Sequence, residues 1–137
     1  MKKAFFIFAL LLGVSAVSFA QGNSSAAKSK LAAFQWDKVE YDFKDITQNV
    51  PATATFKFKN TGSVPLVISN AVGSCGCTVP TWPRDPIAPG ETAEIKAVYN
   101  AANPGPFNKA VTVYANVENG NSTVTIKGSV SAAEPKQ

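Results

Sequence analysis

Short segments that alternate polar and apolar residues, separated by turn-forming residues, are the feature that most limits how this chain can fold. Thr55-Phe56-Lys57-Phe58-Lys59 shows the alternation most clearly, and its period of two is that of a half-buried strand. Short strands with a turn about every dozen residues are typical of an all-β sandwich or barrel. We predict further strands at residues 36–43, 64–69, 94–99, 109–114 and 123–127, with turns at Asn60-Thr61-Gly62, Pro89-Gly90, residues 103–106 and Asn119-Gly120.

The alternation also predicts which side chains form the core. Apolar residues two apart along a strand share one face, and that face is expected to pack against the opposite sheet. In the first strand this places Val39, Tyr41 and Phe43 together. The residues predicted to face inward are Phe56, Phe58, Leu66, Ile68, Ile95, Val111, Val113, Val124 and Ile126.

Residues 78–90 stand apart because a proline occurs at every third position from Pro80 to Pro89. This spacing is typical of a polyproline II path, and we expect no strand ladder because proline has no amide hydrogen to donate. One interpretation is a stiff crossover between sheets, with Trp82 covering the edge of the core. The alternatives are a preformed ligand for an aromatic groove, or a partner-binding loop of Trp82, Pro83 and Arg84 in which the exposed indole is the anchor.

The N-terminus has the pattern of an export signal. Lys2 and Lys3 precede an apolar run, and Ser18-Phe19-Ala20 is a small-x-small cleavage site. We therefore expect a signal peptide at residues 1–20, cleaved after Ala20, and a secreted or periplasmic product with no membrane span. The alternative is a transmembrane anchor, for which the run is short. Residues 21–33 are predicted to form a flexible linker, residues 34–131 the folded domain and residues 132–137 a tail.

Charge and composition limit what the domain can do. Residues 34–131 contain 8 basic and 8 acidic side chains, so the domain lacks the basic surface that nucleic-acid binding requires. The chain contains no histidine, which removes an imidazole base and a histidine ligand for zinc. Asp42, Asp45 and Asp85 lie at predicted turns or strand ends, where aspartate mainly bonds to the nearby backbone. We expect a protein that is not an enzyme and holds no cofactor.

Cys75-Gly76-Cys77 contains both cysteines of the chain. In an extended backbone, residues i and i+2 share a face with Cα atoms about 6.6 Å apart, near the upper limit for a disulfide, and Gly76 can bend to close the gap. Four interpretations are open. They are a structural disulfide, a redox-active pair, capture of a soft metal such as Cu(I), and a reduced or intermolecularly paired state. Two sulfurs suffice for linear Cu(I) but not for tetrahedral zinc.

Seven short motifs occur along the domain. They are Asp42-Phe43-Lys44-Asp45-Ile46, residues 56–62, Pro65-Leu66-Val67-Ile68, Ser74-Cys75-Gly76-Cys77-Thr78, residues 86–91, Gly105-Pro106-Phe107 and Ile126-Lys127-Gly128. This set resembles the bacterial secreted domain-of-unknown-function family fifteen-seventy-three, which is related to ASPM–SPD-2–Hydin and PapD-type sandwiches. The family more often has glycine in place of Lys44.

The resemblance implies an immunoglobulin-like antiparallel β-sandwich of about seven strands and no established activity. It leaves two hypotheses for the function. The first is an exported, non-enzymatic module that binds another protein or serves as an envelope accessory. The second is an envelope protein that handles redox equivalents or Cu(I) through Cys75 and Cys77.

Overall fold

The computed structural model describes residues 30–134. The predicted signal peptide, residues 21–29 of the predicted linker and residues 135–137 of the tail lie outside the described part. Eight strands form the domain, and no helix occurs among the described residues. The strands are β1 (Phe34–Trp36), β2 (Glu40–Thr47), β3 (Ala52–Asn60), β4 (Ile68–Gly73), β5 (Thr78–Thr81), β6 (Thr92–Tyr99), β7 (Gly105–Ala115) and β8 (Asn121–Ser131).

Two four-stranded sheets pack face to face, in the orders β1-β3-β6-β5 and β2-β8-β7-β4. The predicted sandwich is therefore confirmed, with eight strands where about seven were expected. Five of the six strand pairs are antiparallel, whereas β2 runs parallel to β8. An entirely antiparallel arrangement was thus the wrong expectation for this one pair.

One of the strands that the sequence pattern did not predict arises because the segment predicted as a single first strand belongs to both sheets. The amide of Asp37 donates to the carbonyl of Lys57 in the first sheet (3.0 Å), and the carbonyl of Val39 accepts from the amide of Thr125 in the second (2.8 Å). The chain therefore crosses between sheets at residues 37–39. Val39 is 54% exposed, whereas Tyr41 and Phe43 pack against the core.

The core lies between the sheets, where strand alternation placed it. All nine predicted inward-facing residues of the later strands are buried, and eight of them are fully buried. Aromatic rings complete the layer, with Tyr99 and Phe107 stacked at 4.0 Å between ring centroids. The period-two pattern therefore identified the correct face of each of these strands.

Asn60 is a polar residue within this core and is fully buried. Its side-chain amide donates to the carbonyls of Val64 and Ile87, each at 2.9 Å. Its side-chain oxygen accepts from the amides of Gly62 (3.0 Å) and Ala33 (3.3 Å). The residue that ends β3 therefore connects three loops and satisfies its hydrogen-bonding groups in doing so.

The proline-rich segment does contain a strand, which corrects the prediction that no ladder forms there. β5 includes Pro80 and pairs with β6. Because the carbonyl of Cys77 accepts from the amide of Asn100, alternation along β5 directs the nitrogen of residue 80 away from β6. β5 is an edge strand, so the missing amide hydrogen costs no ladder bond.

Two backbone conformations account for local sequence choices. The amide of Glu91 donates to the carbonyl of Ala88 (3.0 Å) and Gly90 has φ 84°, so the type II turn predicted at Pro89-Gly90 is present. Lys44 has φ 60° and lies where the pairing of β2 with β8 shifts register. Glycine adopts this left-handed conformation at less cost than lysine does.

Candidate functional site

The two cysteines lie in the connection between β4 and β5, where the chain passes from one sheet to the other. They form a disulfide with Cα atoms 5.2 Å apart, inside the range that a disulfide requires. The backbone between them is a turn and not the extended strand that the sequence suggested. The amide of Thr78 donates to the carbonyl of Cys75 (3.2 Å), and neither Gly76 nor Cys77 has a positive φ, which indicates a type I turn.

Gly76 is exposed at the outer side of this turn. Its φ lies outside the left-handed region, and a Cβ atom at this position would meet no atom within 4 Å outside the two adjacent cysteines. Neither the backbone conformation nor packing against the rest of the domain therefore requires glycine at position 76. Its exposed position carries no side chain on the outer side of the disulfide.

Thr78 contacts the disulfide from the inner side. Its side chain is almost fully buried, with 3% of the residue exposed. The hydroxyl oxygen lies 3.8 Å from Sγ of Cys75 and 4.0 Å from Sγ of Cys77, both within hydrogen-bonding range for sulfur. Both cysteines are half-buried, and Cys77 packs against the hydrophobic core. Sequence reasoning included Thr78 in the motif but gave it no role.

Trp82, Pro83 and Arg84 follow β5 at its other end. Cys77 and Trp82 are separated by the length of the strand, about 16 Å at 3.3 Å per residue, so the two predicted site groups are not brought together. Trp82 is half-buried against the core, and its buried Nε1 has no hydrogen-bond partner among the described residues. The guanidinium of Arg84 stacks over the indole at 4.0 Å. The indole thus covers the edge of the core while Arg84 is exposed.

β4 and β5 are edge strands of different sheets, contact each other, and form one side of the sandwich. We call this the β4–β5 side. Residues 60–83, which include both strands and the disulfide turn, contain no charged residue. The opposite side, formed by β1 and β2, is strongly charged, with six charged residues among the nine at positions 37–45. This contrast is readable in the sequence, but the sequence does not show that β4 and β5 share one side.

Two apolar side chains are exposed on the β4–β5 side. Val72 of β4 is 47% exposed and Val79 of β5 is 58% exposed. They flank the disulfide turn in sequence, and alternation places them on the outer faces of the two sheets. An uncharged side with exposed valines and free strand edges has the composition of a protein-binding surface.

Other parts of the described chain show fewer features of a functional site than the β4–β5 side does. A cleft of about 400 Å³ lies beside Phe34, Gly62 and Val117, near the end of β3 that is remote from the disulfide. Residues 30–134 contain no group of three or more metal-ligating side chains. No helix in this part of the chain is long and apolar enough to cross a bilayer.

Residues 34–130 match the model of a protein family described as "Protein of unknown function (DUF1573)". No curated protein matches the chain. Among solved structures, the chain is similar to a protein of unknown function from Porphyromonas gingivalis W83, with a TM-score of 0.65 and 11% identity. That alignment covers 79% of this chain and 51% of the other, so the chain spans about half the length of that protein.

Two further structures have the same type of sandwich. The ASH/PapD-like domain 7 of human CEP192 aligns with a TM-score of 0.60 and 8% identity, covering 98% of this chain and 99% of that domain. The YadV chaperone aligns with a TM-score of 0.52 and 12% identity, covering 75% of this chain and 54% of its own. Identities this low show a shared fold and nothing about a shared activity.

Proposed function

The chain belongs to the DUF1573 family of proteins of unknown function, and from this premise we propose that it is an exported, non-enzymatic immunoglobulin-like module whose β4–β5 side binds another protein. The sequence pattern that predicts an export signal at residues 1–20 supports the location. The absence of histidine from the sequence supports a role other than acid–base or nucleophilic catalysis.

The observation that carries this proposal is the unequal distribution of charge between the two sides of the sandwich. Charged residues are depleted from the centres of protein interfaces, because their desolvation is costly. Here a side made of two strand edges has no charged residue from the start of β4 to the end of β5, residues 68–81, and exposes Val72 and Val79. Exposed apolar side chains without neighbouring charge in the sequence are typical of the centre of a protein interface.

β4 is the edge best suited to pairing with a partner strand. Native edges are normally kept from pairing by shortness, proline or charge. β1 has three residues, β5 has four and contains Pro80, and β2 contains a register shift and charged residues including Lys44. β4 has six residues with neither proline nor charge, although its pairing with β7 is irregular near Ser69. We therefore propose that an extended, uncharged segment of the partner adds to β4.

Site-specific photocrosslinking in the producing cell tests this proposal. A photoreactive residue would replace Val72 or Val79, and Val39 provides the matched control because it is a valine of similar exposure (54%) on the charged side. The expected result is one discrete crosslinked species from positions 72 and 79 that is absent at position 39. The same pattern of products from all three positions would contradict the proposal.

A charge-insertion variant provides the second part of the test. Val72→Asp should abolish the crosslink formed from position 79 without lowering the folded yield, whereas Val39→Asp should preserve that crosslink. If both variants retain it unchanged, the β4–β5 side is not the binding surface.

A further inference from the structure

The disulfide adds little stability to this turn, because a hydrogen bond already closes it. The turn is closed by the hydrogen bond between the amide of Thr78 and the carbonyl of Cys75. A disulfide stabilises a fold chiefly by restricting the unfolded chain, and the effect grows with the length of the loop that it closes. A bridge that encloses only Gly76 restricts very little. Stability is therefore a weak reason for placing both cysteines of the chain here.

The surroundings of the two sulfurs differ on the two sides of the turn. On the outer side Gly76 is exposed and has no side chain, and both cysteines are only half-buried. On the inner side the hydroxyl of Thr78 lies within 3.8 Å of one sulfur and 4.0 Å of the other. The exposed side of the turn is therefore the one from which a thiol could approach, and the other side holds a buried hydrogen-bond donor.

From this arrangement we infer that Cys75–Cys77 is a thiol–disulfide exchange site for cysteinyl thiols, in which the Thr78 hydroxyl stabilises the departing thiolate. This activity is separate from the proposed protein binding, because it needs only a thiol that can reach the turn. Cys75 is the sulfur attacked, since Cys77 packs against the core on one side.

The exchange consists of two displacements. A thiolate of the substrate attacks Sγ of Cys75, a bond forms between these sulfurs, the Cys75–Cys77 bond breaks, and its electron pair leaves on Sγ of Cys77. A second substrate thiolate then attacks the substrate sulfur of the mixed disulfide and releases Cys75 as a thiolate. Two substrate thiols are oxidised to one disulfide, the protein pair is reduced, and the two protons of the substrate thiols pass to the protein sulfurs.

Thr78 acts on the equilibrium because its hydroxyl interacts differently with the two redox states. A disulfide sulfur is a weak hydrogen-bond acceptor, whereas a thiolate is charged and accepts strongly. The hydroxyl therefore stabilises the reduced form more than the oxidised form, and it stabilises the charge that develops on the departing sulfur as the disulfide bond breaks.

The first test is redox equilibration of the mature protein with glutathione. Thr78→Val keeps the shape of the side chain but removes the donor, and it should lower the equilibrium constant for reduction about tenfold, or about 30 mV for a two-electron couple. Thr78→Ser should keep the wild-type value. Thr81→Val is the matched control, since Thr81 is exposed on the same strand and should change nothing.

The second test measures alkylation rates of the single-cysteine proteins Cys77→Ser and Cys75→Ser, and needs no change at Thr78. We expect Cys75 in the Cys77→Ser protein to react faster with iodoacetamide than Cys77 in the Cys75→Ser protein.

The source of the thiol is distinguished by comparing two reductants of the wild-type disulfide, a peptide with a reduced cysteine and glutathione. Faster reduction by the peptide indicates a polypeptide substrate, and equal rates indicate a small thiol.

The inference fails if wild-type protein stays oxidised at every glutathione ratio, or if Thr78→Val equilibrates as the wild type does. Neither result would affect the photocrosslinking from positions 72 and 79. Failure of exchange and failure of protein binding can therefore be told apart.

Discussion

The Cα atom of Gly73 lies so close to the carbonyl oxygen of Thr78 that a Cβ atom at position 73 would overlap this oxygen. Glycine thus lets the last residue of β4 approach the first residue of β5. Gly73→Ala should lower the free energy of unfolding by about 1–3 kcal/mol, because backbone must shift to admit the methyl group. Urea denaturation of the oxidised protein measures this change.

Gly76→Ala is the control for this prediction, since a methyl group there would meet no atom within 4 Å outside the two adjacent residues. It should change stability by less than about 0.5 kcal/mol. Equal destabilisation by the two substitutions would show that the close approach at Gly73 is not the cause.

Asn60→Asp should destabilise the protein by about 3 kcal/mol or more, because a carboxylate cannot donate to the carbonyls of Val64 and Ile87 and would be buried against them. Asn70→Asp is the matched change at an exposed position, where the side-chain oxygen only accepts from the amide of Ala71. That variant should unfold within about 0.5 kcal/mol of the wild type in the same urea titration. A small effect at Asn60 would contradict its role in joining three loops.

Lys44→Gly should raise the stability by about 0.5–1 kcal/mol, because glycine adopts the φ of 60° without the steric cost that a lysine has there. Losing the exposed ion pair with Asp42 should subtract little. Lys44→Ala loses the same ion pair and keeps the strained backbone, so it should show no gain. Thermal melting of the three proteins at one pH compares them directly.

Stability in acid should depend on Asp42. Hydrogen bonds from the side chain and the backbone amide of Lys44 hold the pKa of the Asp42 carboxyl below its ordinary value. A lowered folded pKa stabilises the protein above the unfolded pKa of about 3.9, and this contribution is lost as pH falls through the folded pKa.

Asp42→Asn should therefore flatten the dependence of unfolding free energy on pH below about 4. Lys44→Met, which removes the side-chain donor and keeps the backbone donor, should flatten it partly. If the unfolding free energy of Asp42→Asn depends on pH below about 4 as that of the wild type does, other carboxylates determine the loss of stability in acid. Urea denaturation at a series of pH values would measure all three proteins.

Processing of the N-terminus is the remaining prediction. The exported protein should begin at Gln21, because cleavage is expected after Ala20. N-terminal sequencing of the mature product measures this, and Leu11→Arg, which places a charge in the apolar run, should leave uncleaved chain in the cell. An exported product that begins at Met1 would refute the prediction.

Side-chain alternation predicted the sandwich and its core because Phe56 and Phe58 lie on a strand buried on one face only. This reasoning gave the wrong result at two positions, because contacts with residues distant in sequence determine the structure there. Val39 has the same spacing from Tyr41 as a core residue would, yet the chain is changing sheets there. Pro80 cannot donate a ladder hydrogen bond, but its nitrogen faces away from β6, so the pairing of β5 with β6 is unaffected.

The candidate site, like the fold, could be predicted from the sequence only in part. The spacing of Cys75 and Cys77 correctly indicated that a disulfide is sterically allowed. The contacts of Thr78 with both sulfurs depend on the turn that follows β4, and no residue pattern specifies that turn. The uncharged β4–β5 side becomes evident only when β4 and β5 are known to be adjacent edges.

The position of β8 between β2 and β7 has a consequence for the order in which the molecule can form. β2 is made early in synthesis but pairs with the strand made last, at residues 121–131. A chain released N-terminus first, from a ribosome or through a membrane pore, cannot complete its second sheet until the final strand emerges. The first sheet does not contain β8, so it is the second sheet, with its central β2–β8 and β7–β8 pairs, that forms only after residues 121–131 have arrived.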